Sequence, residues 1–225
     1  MLTPPDSRRA WSLLDEYGLA DVIFRHWPRH GARTDISRMA LYYSEGATLG
    51  LVLATVTVMR CPASDSPAEI LACFTPSRVN EAVRAVRQAL KISNEESEEM
   101  RGTLLGLGPL LGDSEPTLAQ KKRFLARPTA PLSRQLMRLL AGFFYFPDRI
   151  RSLDPQLDAL SKTDFAPAPL VTGDDLTAAG YAPGPKFKRV LDGVYDAQLE
   201  DRVRTKGEAM ELTDRMFAEG EAPRR

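Results

Sequence analysis

TGDDLTAAGYAPGPKFKRVLDGVYDAQLEDRVRTKGEAMELTDRMF, residues 172–217, is the stretch whose reading decides the fold. Asp174 or Asp175 can cap a short helix through Leu176, Thr177, Ala178 and Ala179, and Gly180 stands where a helix ends on a left-handed residue. After Tyr181, Ala182, Pro183 and Gly184, Pro185 suits the first position of a second helix, because its missing N–H would be unpaired there anyway. Phe187, Val190, Leu191 and Val194 follow at i, i+3, i+4, i+7, an apolar stripe of helical period. Thr205 and Glu208 form a capping box for a third helix carrying Ala209, Met210, Leu212, Thr213 and Phe217.

Lys186, Lys188 and Arg189 crowd the opening turn of the second helix. Cations there oppose the helix dipole, by about 0.3 to 1 kcal/mol each when exposed, so the cluster suggests a visiting anion. Phosphate fits, since N–H groups at Gly184, Lys186 and Phe187 would face it together with the lysines. Two helices joined by a glycine turn can hold a nucleic-acid backbone without reading bases. They can equally form a small helical subdomain whose lysines only solvate it.

Leu170-Val171-Thr172-Gly173-Asp174-Asp175-Leu176, then Gly180, Pro183-Gly184-Pro185, Leu191, Asp196-Ala197-Gln198-Leu199, and Thr205 with Glu208-Ala209 resemble the tail of bacterial class II tRNA nucleotidyltransferases and their poly(A) polymerase relatives. The resemblance implies a multi-helix neck, body and tail array. It extends upstream less specifically. Met1-Leu2-Thr3-Pro4-Pro5, Ala10, Leu13-Leu14 and Gly18-Leu19 resemble the end of the neck, and Leu90 to Glu96 resembles part of the body. The implied division is 1–33 as the end of a neck-like region, 34–169 as a helical body, 170–218 as a helical tail and 219–225 as a disordered end.

With 225 residues, 43% hydrophobic, the chain is long enough for a sizeable core. No window of eighteen apolar residues appears and Met1 to Asp6 lacks signal-peptide character, so a cytoplasmic protein without membrane contact is expected. Cys61 and Cys73 read as free thiols, and two histidines are too few for an ordinary zinc site. Thirty basic residues balance thirty acidic ones. RNA contact therefore has to come from local patches. Residues 113–170 carry nine Lys and Arg against six Asp and Glu, and 171–218 carry seven against nine.

Ahead of the tail, Asp6 or Ser7 opens a helix with Ala10, Trp11, Leu14 and Tyr17 on one stripe and Leu13 beside it, ended by Gly18. A second short helix starts at Leu19 and stops before Pro28. Arg25, His26, Arg29, His30 and Arg33 form a basic run without a metal motif. Gly46 to Met59 is nearly all apolar; its β-branched run Thr55 to Val58 could be a strand, but with no partner strands it reads as a buried central helix. Cys61 to Pro76 reads as a loop and Arg78 to Leu90 as an amphipathic helix with Arg84 and Arg87 on its polar side. Ser93 and Glu96 make another capping box, opening a helix to about Leu107.

Leu118 to Ala126 is a helix bearing Lys121, Lys122 and Arg123, and Leu132 to Phe146 is a largely apolar one bearing Arg134 and Arg138. Both basic sets read either as solvated surface or as the body's share of an RNA-backbone track. Phe143 to Phe146 reads as core, with base stacking as the other option. Asp148 to Pro169 reads as a proline-punctuated connection. The expected fold class is all-α, with no nucleotidyltransferase head sheet.

The resemblance implies that body and tail grip tRNA while a head domain performs nucleotidyl transfer with Mg and CTP or ATP. That chemistry needs paired metal-binding carboxylates beside a glycine turn, and the chain has no Asp-x-Asp, Gly-Ser or Gly-Gly. Glu200-Asp201-Arg202-Val203-Arg204 matches the family's E-D-x-x-R templating motif in letters but not in position. The expectation is a tRNA-binding, non-catalytic C-terminal portion of a CCA-adding or poly(A)-adding enzyme, with its catalytic head missing or separate. Its RNA contacts would be Lys186, Lys188, Arg189 and Gly184, then Lys121, Lys122 and Arg123. The alternative is a helical protein-interaction module without an RNA role.

Overall fold

A computed structural model describes residues 3, 7–23, 47–60, 66–143 and 145–219. Among them every regular element is a helix and none is a strand, as expected for an all-α chain. The basic run from Arg25 to Arg33, together with Cys61, Phe144 and residues 220–225, lies outside the described residues.

Two compact units divide the chain: Met1–Pro116 with Arg127–Gln156, and Thr117–Ala126 with Leu157–Arg225. The tail stretch thus falls within the second unit, which also takes in the basic segment around Lys121.

In the first unit, helices α1 (Ser7–Glu16) and α2 (Leu19–Ile23) join through Gly18, whose φ of 65° is the left-handed conformation its place requires. Ala10 and Trp11 are buried, but Tyr17, expected on the same stripe, is exposed. The next described helix, by contrast, has no exposed polar side. In α3 (Leu49–Arg60), Gly50 to Met59 are all buried. The β-branched run is helical because its threonines satisfy themselves: the hydroxyls of Thr55 and Thr57 donate to the carbonyls of Leu51 and Leu53, at 2.8 Å each.

The expected loop from Cys61 to Pro76 contains a helix, α4 (Pro67–Ala72), with Ser66 capping the N–H of Glu69 and Pro67 at its first position. Helix α5 (Pro76–Leu90) buries Val79, Ala82, Val83 and Val86. Lys91, at φ 46°, turns the chain into α6 (Asn94–Leu105), whose Ser93–Glu96 capping box has both of its hydrogen bonds. Helix α6 packs on α3, on α5 and on the later α9 (Ala130–Gly142). Where α6 meets the start of α9 the approach is close: a Cβ on Gly102 would stand 2.7 Å from Thr129 Cγ2. Helix α7 (Gly108–Leu111) adds Leu110 and Leu111 to the core.

The stretch expected to be a proline-punctuated connection forms α10 (Pro147–Leu160), with Pro155 inside it. Ile150, Leu153 and Leu157 give that helix a buried stripe at i, i+3, i+7, which outweighs the one N–H that Pro155 lacks. Asp154 on α10 receives two arginines from α9. Arg134 binds it at 2.5 Å and Arg138 at 2.7 Å. Phe143, Tyr145 and Phe146 are half-buried, neither fully in the core nor open to stack on bases.

The second unit is built from α8 (Leu118–Leu125), α11 (Gly173–Ala178), α12 (Pro185–Leu199) and α13 (Lys206–Glu219). Its core is Val171, Leu176, Val190, Val194, Ala197, Val203 and Ala209, flanked by Leu170, Phe187, Leu191, Met216 and Phe217.

Candidate nucleic-acid interface

The short helix α11 is six residues, too short to persist on its own propensity. Its cap is Thr172 rather than Asp174 or Asp175. The Thr172 hydroxyl accepts from the N–H of Asp175 while the Asp175 carboxylate accepts from the N–H of Thr172 at 2.8 Å, a reciprocal box with Asp in the usual Glu place. Asp175 also receives Lys206 at 2.5 Å from the first turn of α13. The Lys206 hydrogen bond, followed by those from Thr172, holds the Asp175 carboxyl down at about 2. Gly180, at φ 89°, closes the helix as its position demands.

Gly184 then enters α12 in extended conformation, and no side chain caps the turn. Pro185 has no N–H to give. The N–H groups of Lys186 and Phe187, in the first turn, therefore have no partner within the helix. Lys188 and Arg189 are exposed beside them, and no acidic residue lies in that turn. Gly184, Lys186, Lys188 and Arg189 all lie at the start of α12, with the side chains of Lys188 and Arg189 open to solvent.

Lys186 differs from its neighbours. Its ammonium donates to the carbonyl of Phe217 and lies 5.3 Å from the centre of that ring. Phe217 is in the last turn of α13, where positive charge complements the negative end of the helix dipole. One of the three cations that oppose the α12 dipole is thus employed at the other end of α13. Phe217 in turn stacks on Tyr181, with centroids 4.0 Å apart, and the Tyr181 hydroxyl donates to Asp214 at 2.6 Å.

The second basic group behaves differently from a surface patch. Lys121 and Lys122 are each only 9% exposed, and α8 packs on α12. Arg123 is braced against α12: Nε donates to Asp196 at 2.5 Å, a terminal nitrogen donates to the Asp192 carbonyl at 3.0 Å, and the guanidinium stands 5.0 Å from the Tyr195 ring centre. Helix α8 starts with a capping box of Thr117 and Gln120, a signal present in the sequence and overlooked there.

These contacts also give physical content to Asp196-Ala197-Gln198-Leu199. Asp196 anchors α8, Ala197 and Leu199 are core, and the Gln198 amide accepts from the Leu170 N–H at 2.9 Å and donates to the Ala168 carbonyl at 2.8 Å. Both Gln198 bonds hold the segment leading into the tail to α12. Tyr195 adds a bond from its hydroxyl to the Pro167 carbonyl at 3.0 Å. Polar residues interleaved with a buried stripe near the end of α12 are the signal that could have found this node.

Glu200 to Arg204 forms the turn after α12. Asp201 has φ 58°, and Glu200 pairs with Arg202 at 2.8 Å, a hydrogen bond that draws its carboxyl below the usual range. Glu208 accepts from the N–H groups of Arg204 and Thr205, completing the box expected there. The E-D-x-x-R letters are thus spent on a helix exit and the next helix entrance.

Among the described residues no three His, Cys, Asp or Glu side chains converge as metal ligands. No helix among them is long and apolar enough to cross a membrane. Comparisons with protein-family models, with curated proteins and with solved structures give no match.

Proposed function

We propose that the chain is a helical RNA-binding protein that holds the phosphate backbone of tRNA at the start of α12, corresponding to the body and tail of a CCA-adding or poly(A)-adding nucleotidyltransferase. The observation that carries this is the opening turn of α12: exposed Lys188 and Arg189 beside an uncapped helix end with no carboxylate in the turn. Charge of that sign at that end costs stability unless an anion balances it, and backbone N–H groups at a helix start suit a phosphate oxygen.

The tail residues that resemble the family add to this reading, and they set the choice of tRNA as ligand. The contribution of Lys121, Lys122 and Arg123 is secondary, because the first two are buried and the third is committed to Asp196 and Tyr195. Catalysis is assigned to residues outside this chain.

Fluorescence anisotropy of labelled tRNA with the full chain, over a salt series, tests the proposal. The wild type should lose affinity steeply with salt. A Lys188→Ala/Arg189→Ala variant should bind more weakly, with a log–log slope shallower by about 1.4 to 1.8, the loss of two phosphate contacts. No binding at low salt, or identical slopes, would remove the α12 site and favour a protein-interaction role.

A further inference from the structure

The first unit contains a groove of about 430 Å³ along α5 and α6, away in sequence from every residue assigned above. Its lining is Asn80, Val83, Arg84, Arg87, Gln88 and Arg101. Three of the six are guanidinium-bearing and none is a carboxylate. Asn80, Arg84, Arg87 and Gln88 follow one face of α5 at helical spacing, and Arg101 is supplied by α6.

Arg101 is held in place from two sides. Its Nε donates to Glu98 at 3.1 Å and a terminal nitrogen donates to the Asn80 carbonyl oxygen. Those contacts fix the plane of the fork and leave its second terminal nitrogen available. With its oxygen occupied, Asn80 has its amide N–H groups left to offer. Arg84 and Arg87 are exposed and take part in none of the described ion pairs. Arg101 is balanced by Glu98, but Arg84 and Arg87 are two like charges one turn apart that repel one another until an anion sits beside them.

We infer that this groove is a binding site for phosphate groups. Guanidinium forks bind tetrahedral oxyanions through paired N–H donors, and the two open forks of Arg84 and Arg87, with the remaining terminal nitrogen of Arg101 and two neutral amides, match an anion with many acceptor oxygens better than a lone carboxylate. Val83, fully buried, is the one apolar residue in the lining, so the groove offers no surface for stacking a base. The groove recognises phosphate irrespective of the nucleoside attached. The same chemistry can arrive on an RNA backbone or as a free polyphosphate, and the volume accommodates either.

The test uses the full chain and an Arg84→Gln/Arg87→Gln variant, both exposed positions, with matching far-UV circular dichroism and melting as the check on folding. One arm titrates a fluorescent twelve-residue oligouridylate by anisotropy at low salt; the other titrates inorganic pyrophosphate by calorimetry. For an RNA source, the variant should lose about tenfold in oligouridylate affinity and about 1.4 in salt slope, with no pyrophosphate heat in either protein. For a free polyphosphate source, wild type should give a saturating pyrophosphate isotherm that the variant lacks. An Arg84→Lys/Arg87→Lys variant keeps the charge without the forks, and should recover only part of the loss. Unchanged binding of both probes overturns the site. Because Lys188 and Arg189 are intact in these variants, loss here is separate from failure at α12.

Discussion

Arg123→Ala separates a structural brace from an RNA contact. In the structure the guanidinium makes a 2.5 Å ion pair with Asp196, a hydrogen bond to the Asp192 carbonyl and a cation–π contact with Tyr195. Its side chain is 37% exposed and that of Asp196 is 41%, so the pair is well screened and contributes about 0.2 to 1 kcal/mol. The contact with Tyr195 contributes about 0.5 to 1 kcal/mol. Together the loss should be about 1 to 2 kcal/mol, with the terms overlapping. Thr117–Ala126 and Leu157–Arg225 form a unit of domain size, for which each kcal/mol shifts Tm by about 4 to 8 °C. The transition of that unit should fall by about 4 to 16 °C, measured by calorimetry. In a cycle with Asp196→Ala the coupling should be about 0.2 to 1 kcal/mol, and Arg123→Lys should recover less than half, because an ammonium lacks the planar fork. tRNA affinity should change less than about twofold. An unchanged melting curve together with a large loss of RNA affinity and salt slope would refute the brace and make Arg123 a phosphate contact.

Leu176→Ala should destabilise the second unit by about 2 to 5 kcal/mol in urea unfolding, since Leu176 is fully buried among Val171, Val190 and Val194 and α11 is too short to hold itself. Gly102→Ala should cost about 1 to 3 kcal/mol by overpacking, because its new Cβ would meet Thr129 Cγ2 at 2.7 Å and Oγ1 at 2.8 Å; adding Thr129→Ala should restore part of it, and no loss in the single variant would contradict the close approach. Acid should destabilise the fold in a defined window. Burial pushes the Asp154 carboxyl up, but hydrogen bonds from Arg138 and Arg134 more than offset this and leave it below 3.8, while Asp175 lies near about 2. For both groups the unfolded state binds protons more readily, so their contribution is present above about pH 4 and is lost as pH falls towards about 2. Melting temperatures of wild type and Asp154→Asn should converge over that range, and parallel curves would contradict it.

The parts of the fold that were legible in the sequence are those fixed by local signals. Pro185 as a helix start, Gly180 as a left-handed stop, and the boxes at Ser93 and Thr205 depend on residues within four positions of one another, and the structure has each of them. The cap at Thr172 was missed because Asp175 stands in the place usually held by Glu, and the two acids beside it looked like caps themselves. Helix α10 was missed because Pro155 stands inside the buried stripe of Ile150, Leu153 and Leu157 and reads as a helix breaker. Charge was the least legible property. Lys186, Lys188 and Arg189 look equivalent as letters, yet only Lys186 has Phe217 within reach; Arg123 looks like Lys122, yet Asp196 is 73 residues away. Whether a cation is spent inside the fold depends on partners that spacing along the chain does not reveal.

The bond from Lys186 to Phe217 makes the two ends of different helices share one charge. While the last turn of α13 is wound, the Phe217 carbonyl within it detains an ammonium that would otherwise stand with Lys188 and Arg189. Unwinding of that turn, or cleavage before Phe217, would release it. The number of cations offered at the start of α12 is therefore two or three according to the state of a segment some thirty residues later, and proteolytic trimming of the tail would strengthen the attraction for a polyanion while weakening the packing of the unit that presents it.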